Sequence, residues 1–110
     1  MARPFPFPYT FPMALDHERL EVYQVALEFF DLADAIVEQL PRGRGHLSDQ
    51  LSRAALSIVN NIAEGAGKFS GLDKRRYYLT SAGSATESAA MLDVCRSEEH
   101  TSELQSLTNL

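Results

Sequence analysis

The chain has 110 residues, of which 45% are hydrophobic, and it carries a formal net charge of −5. This length fits one domain and this composition is ordinary for a globular protein, so a wholly disordered chain is disfavoured. The single cysteine, Cys95, excludes an internal disulfide framework, and prolines interrupt the apolar N-terminus, which excludes a signal-peptide core or a membrane span there. We therefore expect a cytoplasmic protein, without a membrane partner, that is built on one hydrophobic core.

The charges are unevenly distributed along the chain. Residues 16–40 carry seven acidic side chains and one basic one, a net charge of −6, whereas residues 41–76 carry seven basic and three acidic side chains, a net charge of +4. An evenly acidic surface would argue against nucleic acid as a partner, because phosphate groups bind basic surfaces. The observed segregation instead allows one basic face on an acidic molecule.

Residues 1–15 form a Pro/Phe-rich segment that we expect to lie outside the folded domain. Each proline disfavours helix at the residue before it and removes a backbone donor. Three interpretations stay open for this arm: a disordered tail, a stretch that precedes a true translation start at Met13, or an aromatic arm that docks on a partner.

Hydrophobic side chains at three- and four-residue spacing predict a first amphipathic helix from Asp16 to Leu40. Asp16 is its predicted N-cap, and Pro41 is predicted to end it. Prolines and glycines in residues 41–46 then predict a turn between antiparallel helices.

A second helix is predicted to start near Leu47 or Ser48, with its apolar face extending to Ile62. Gly65 and Gly67 are predicted to end it through their permissive backbone dihedrals. The pair Ser70 and Asp73 predicts a capping box that opens a third helix. The inward face predicted for this third helix consists of Tyr78, Ala82, Ala85, Ala89 and Leu92.

The eleven residues Arg96–Ser106 match, residue for residue, the translation of a common short-read sequencing adapter. A chance match of this length is negligible, so we expect residues 96–110 to be an artefactual tail that carries no information about the fold. The genuine domain would then span residues 16–95, with its third helix cut near Cys95.

Three ordered motifs resemble those of a known family. They are Leu20–Gln24 in the first helix, Leu51–Lys68 with its Asn-Ile-Ala-Glu-Gly block in the second, and Tyr78–Glu87 in the third. Together they resemble the four-helix-bundle proteins of the 23S ribosomal RNA intervening sequences. The resemblance implies an all-α, antiparallel up-down four-helix bundle, of which this chain holds three genuine helices and lacks the fourth. Part of the apolar faces of its neighbours should then be uncovered.

The same resemblance implies a function. Related accessory proteins of diversity-generating retroelements form homopentamers with basic surfaces and associate with a reverse transcriptase and with nucleic acid. The chain is therefore expected to be a non-enzymatic, oligomeric subunit that binds structured RNA or DNA, or a nucleic-acid enzyme. The alternative is a structural or protein-interaction bundle with no role in nucleic-acid binding.

Six basic side chains are candidates for nucleic-acid contact: Arg42, Arg44, Lys68, Lys74, Arg75 and Arg76. They form either one patch at one end of the bundle or two smaller patches. Antiparallel packing favours two patches, because it places the first and second turns at opposite ends.

Six further residues are candidates for the family motif or an interface: Arg53, Asn60, Asn61, Glu64, Gly65 and Glu87. Asparagine is a poor helix former and its buried amide needs partners, so the asparagines predict hydrogen bonds across helices or subunits, or a contact with RNA. If Arg53 has only a structural role, it is expected to pair with an acid of the first helix.

Catalytic motifs are weak in this sequence. Gly67-Lys68 is followed by Phe69 rather than the Ser/Thr that a phosphate-binding loop requires, and His17 and His46 are isolated. We therefore predict no catalytic residues, no metal site and no cofactor.

Overall fold

Three α-helices make up the computed structural model, which describes the backbone of residues 16–108 and the side chains of residues 16–97 and Leu107. A single 3₁₀ turn, Asp16–Arg19, is followed by α1 (Glu21–Gln39), α2 (Gly45–Ala66) and α3 (Gly71–Thr108). No strand occurs within residues 16–108, so the all-α prediction is confirmed. The proposed arm, residues 1–15, lies outside the described residues.

The turn between α1 and α2 follows from its prolines and glycines. Leu40 is extended (φ −69°, ψ 140°), the conformation favoured before proline, so Pro41 ends α1 as predicted. Gly43, at φ 95°, reverses the chain, and α2 then begins at Gly45, earlier than predicted. The predicted N-cap was wrong: Asp16 opens the 3₁₀ turn, and Leu20 caps α1 without a side-chain hydrogen bond.

The start of α3 is capped as predicted. The Ser70 Oγ accepts a hydrogen bond of 3.0 Å from the Asp73 backbone N–H.

The helical backbone of α3 then continues to Thr108, past the predicted end near Cys95. At 1.5 Å per residue α3 is about 57 Å long and α2 about 33 Å, so α3 runs on beyond the beginning of α2. The adapter origin of residues 96–106 stays a prediction.

The core forms around α2, which packs against α1 on one side and α3 on the other. Ala26 near the start of α1 packs with Val59 and Ile62 near the end of α2, whereas Ala33 packs with Leu51 in the first half of α2. The two helices are therefore antiparallel. The backbones of α1 and α3 are not neighbours in the part of the chain that the structure describes.

The interface between α2 and α3 is lined by serine hydroxyls. Ser81, Ser84 and Ser88 are buried, and their hydroxyls donate to the Ile58 carbonyl (2.9 Å), the Ser57 Oγ (2.7 Å) and the Ser84 carbonyl (2.9 Å). Burial of these hydroxyls costs little because each one has a partner.

The predicted inward face of α3 was therefore wrong for four of its five residues, since Tyr78, Ala82, Ala85 and Ala89 are exposed. Leu92 is half-buried against the core, as predicted. The prediction placed the alanines in the interface because alanine is more hydrophobic than serine. The two side chains are nearly equal in size, however, and here hydrogen bonds place the serines inside and leave the alanines exposed.

Replacing Ser81 with alanine is expected to lower the free energy of unfolding by about 0.5–1.5 kcal/mol, because one buried hydrogen bond between α3 and α2 is lost. Urea unfolding followed by circular dichroism measures this loss. Thr86→Ala is the matched control, since its exposed hydroxyl bonds only within α3, and it should change stability by less than about 0.5 kcal/mol. Equal losses in the two variants would contradict the role given to Ser81.

Candidate functional site

The turn between α2 and α3 gathers four of the six candidate basic side chains: Lys68, Lys74, Arg75 and Arg76. We name these four residues the basic cluster. Arg42 and Arg44 lie in the turn between α1 and α2, at the other end of α2 and about 30 Å away. The structure therefore separates the six residues into two groups at opposite ends of α2, and the larger group is the basic cluster.

Two members of the basic cluster hold the turn together. The Lys74 Nζ donates to the Ala66 carbonyl (3.0 Å) and the Gly65 carbonyl (3.4 Å), so it caps the end of α2, where carbonyl groups lack helical partners. The Lys68 Nζ lies 3.8 Å from the Glu64 carboxylate and 5.0 Å from the centroid of the Tyr77 ring. Changes at Lys74 would therefore alter the fold as well as the charge.

The other two members, Arg75 and Arg76, project into solvent. The Arg76 side chain is 81% exposed, and its one ion pair within the described residues, to Asp73, is long at 3.9 Å and contributes little to stability. The exposed Arg75 guanidinium has no ion pair or hydrogen bond within the described residues. Both guanidinium groups can therefore bind a phosphate in bidentate fashion without the loss of a strong internal contact.

Phe69 was not among the candidate residues predicted from the sequence. It was considered there only because it replaces the Ser/Thr that a phosphate-binding loop requires. This side chain is fully exposed at the same turn, next to Lys68. Leu72, on the first turn of α3, is 76% exposed. The sequence did contain a signal for Phe69 as a functional residue, because this aromatic side chain lies in a polar turn between Lys68 and the run Lys74–Arg76.

Asn61 belongs to a hydrogen-bonded chain that links α2 to α3. Its Nδ2 donates to the Ser57 carbonyl (2.8 Å) and to the Ser57 Oγ (3.0 Å), and the same Oγ accepts the hydroxyl of Ser84 (2.7 Å). Asn60, one residue earlier, is exposed. The two asparagines therefore differ in environment, and Asn61 is the one that contributes to helix packing.

Gly65 is buried at a close approach of α2 to α3. A Cβ atom on this residue would lie 2.7 Å from the Tyr78 Cε1 and 3.1 Å from the Tyr77 Cβ. The predicted dihedral role was wrong, because Gly65 lies inside α2 and Gly67, with φ −84° and ψ −2°, is right-handed. The fold requires glycine at position 65 because a larger residue would collide with α3, and not because the backbone is left-handed there.

Arg53, Asn60 and Glu64 share one exposed stripe of α2, since seven and eleven residues are close to whole numbers of helical turns. This stripe faces away from α1, so Arg53 forms no ion pair with an acid of α1, and the predicted pairing was wrong. Glu64 pairs only with Lys68, and Glu87 is exposed on α3. None of the four side chains Arg53, Asn60, Glu64 and Glu87 packs in the core, so core packing does not account for the choice of residue at these positions.

An open apolar groove of about 300 Å³ lies between α1 and α3. Ile58 and Ile62 of α2 form its floor, and both walls are apolar: Val22, Val25 and Phe29 from α1, and Ala85, Ala89 and Leu92 from α3. This agrees with the expectation that helices bordering a fourth helix position keep uncovered apolar faces.

Metal ligands and membrane spans were sought in the described part of the chain. No group of three or more His, Cys, Asp or Glu side chains is placed to hold a metal ion there. None of the helices described combines the length and the apolar character that crossing a bilayer requires.

Antiparallel helices around a central α2, with a hydroxyl-lined interface and a basic turn, define a small helical-bundle protein. The family model described as 23S rRNA-intervening sequence protein matches residues 18–109, which is most of the chain. The chain belongs to this family. A search of the curated proteins and of the solved structures found no match.

Proposed function

We propose that this protein is a non-enzymatic bundle subunit that binds structured nucleic acid through the basic cluster. The observation that carries the proposal is the pair Arg75 and Arg76, whose guanidinium groups are exposed and have no strong internal partner. The family description, which refers to an intervening sequence of 23S rRNA, supports RNA as the ligand.

The charge on α1 strengthens the proposal. This helix carries five acidic side chains and no basic one, so it repels phosphate over its whole length. A polyanion approaching the molecule is therefore directed to the basic cluster rather than to α1.

Reversing both charges in the Arg75→Glu/Arg76→Glu variant is expected to weaken binding of a fluorescein-labelled RNA hairpin by about tenfold to a hundredfold. The slope of log K against log salt should also decrease by about 2, because two phosphate contacts are lost. Fluorescence anisotropy at several salt concentrations measures both effects. Lys74 stays unchanged because it caps α2.

The matched control is Arg19→Glu/Arg96→Glu, which changes the net charge equally at two exposed positions that are not candidates for nucleic-acid contact. It should retain most of the affinity of the parent chain. An unchanged affinity and salt slope in the Arg75/Arg76 variant, or an equal loss in both double variants, would contradict the assignment of the basic cluster.

A second candidate function is a protein-interaction bundle without a nucleic-acid role, and the apolar groove favours it. Homo-oligomerisation would cover apolar surface of this kind, and the family resemblance suggests a pentamer or a reverse transcriptase as the assembly. A defined oligomer by light scattering, combined with no salt-dependent retention on RNA or DNA, would favour this candidate over the first.

A further inference from the structure

Phe69 stands among cations at the tip of the turn between α2 and α3. Its ring is fully exposed, so it contributes nothing to the core, although burial of a phenylalanine side chain is strongly stabilising. Stability of the described fold therefore does not account for this residue, which leaves its ring free to contact a ligand.

The exposed face of α3 continues the same composition. Leu72, Arg75, Arg76 and Leu79 lie at i, i+3, i+4 and i+7, which places them on one side of the helix, and all four are exposed. This face of α3 therefore presents two cations between two apolar side chains, and it begins one helical turn or less along the chain from Phe69.

Cations interleaved with an exposed aromatic ring are the combination that binds single-stranded nucleic acid. The cations contact the phosphates, and a base stacks on the ring without regard to its sequence. A regular duplex offers phosphates but keeps its bases stacked inside, whereas loops and bulges of RNA present free base faces.

We infer that the turn between α2 and α3 binds an unpaired nucleotide segment, with a base stacked on Phe69 and the flanking phosphates bound by Arg75 and Arg76. This inference rests on the proposed function and names its ligand more narrowly. Lys68, held over the Tyr77 ring at 5.0 Å, borders the same segment of backbone.

The chain contains no tryptophan, so Phe69→Trp places a single indole at the proposed stacking site, and its fluorescence can be excited selectively over that of the four tyrosines. Titration of the full chain with unlabelled oligouridine is expected to quench this fluorescence and to saturate at the affinity measured by anisotropy for the parent. Leu32→Trp, at an exposed position on α1, is the control and should show no quenching.

A second variant, Phe69→Ser, should bind oligouridine about fivefold to a hundredfold more weakly than the parent. Its affinity for a blunt RNA duplex should stay within about twofold, because phosphate contacts alone hold the duplex. Thermal unfolding that coincides with that of the parent shows that the fold is retained, as expected for an exposed turn residue.

The possible failures are distinguishable. If Phe69→Ser binds like the parent while Arg75→Glu/Arg76→Glu does not, stacking is overturned and the proposed function stands. If the parent binds neither oligouridine nor duplex, both fail. If Phe69→Trp instead shifts its emission to the blue on phosphatidylserine vesicles and ignores RNA, an anionic lipid surface replaces nucleic acid as the ligand.

Discussion

Replacing Leu51 with alanine is expected to lower the free energy of unfolding by about 2–5 kcal/mol, the largest effect of any substitution considered for this protein. The Leu51 side chain has no exposed surface and packs with Ala33 and Ala55. Partly buried side chains of α1 and α3, including Ile36 and Met91, close over this cluster, so all three helices meet there. A cavity at this point would loosen both interfaces of α2 together. Urea unfolding followed by circular dichroism measures the change.

Leu56→Ala is the matched control, because it makes the same substitution in the same helix at a position that is 47% exposed. It should lower the free energy of unfolding by less than about 1 kcal/mol. Similar losses in the two variants would show that α2 buries a different face from the one described.

Gly65→Val is expected to lower the free energy of unfolding by about 1–3 kcal/mol through overpacking. The new Cβ would overlap the Tyr78 ring, at 2.7 and 3.0 Å, and would press on the Tyr77 Cβ at 3.1 Å. The Tyr77 atom is fixed to the backbone, so α3 must move away from α2. Differential scanning calorimetry should show a lower Tm.

Two further variants separate overpacking from a general intolerance of glycine replacement. Gly83→Ala, on α3, meets nothing within 4 Å and should raise stability by about 0.5–1 kcal/mol, as alanine favours helix. Tyr78→Ala should restore part of the stability lost in Gly65→Val, since two of the three closest atoms belong to the Tyr78 ring. A Gly65→Val chain as stable as the parent would disprove the close approach.

The sequence predicted the helices best where hydrophobic residues differ strongly from their polar neighbours. The apolar face of α2, from Leu47 to Ile62, is buried as the periodicity indicated, and the all-α class follows from it. On α3 the same reasoning was wrong, because alanine and serine are similar in size and the choice between them depends on hydrogen bonds to Ile58 and Ser57. Those partners are distant in sequence and cannot be inferred from local spacing.

The candidate site was predicted in composition but not in detail. Lys74 and Arg75 are adjacent and alike in charge, yet one caps α2 and the other projects into solvent. That difference depends on where the carbonyl groups of Ala66 and Gly65 point after the turn is folded. Phe69 was overlooked for a related reason, since its exposure becomes evident only when no neighbouring element covers it.

The two sides of α2 differ in how firmly they fix their partners. Apolar contacts to α1 are non-directional, whereas the hydroxyl bonds to α3 depend on direction, and the bond between Ser84 and Ser57 would break if α3 slid along α2. We therefore expect the α2–α3 hairpin to resist sliding more than the α1–α2 pair does. Phe69, Arg75 and Arg76 all lie on this hairpin, so a displacement of α1 would not by itself change their mutual geometry.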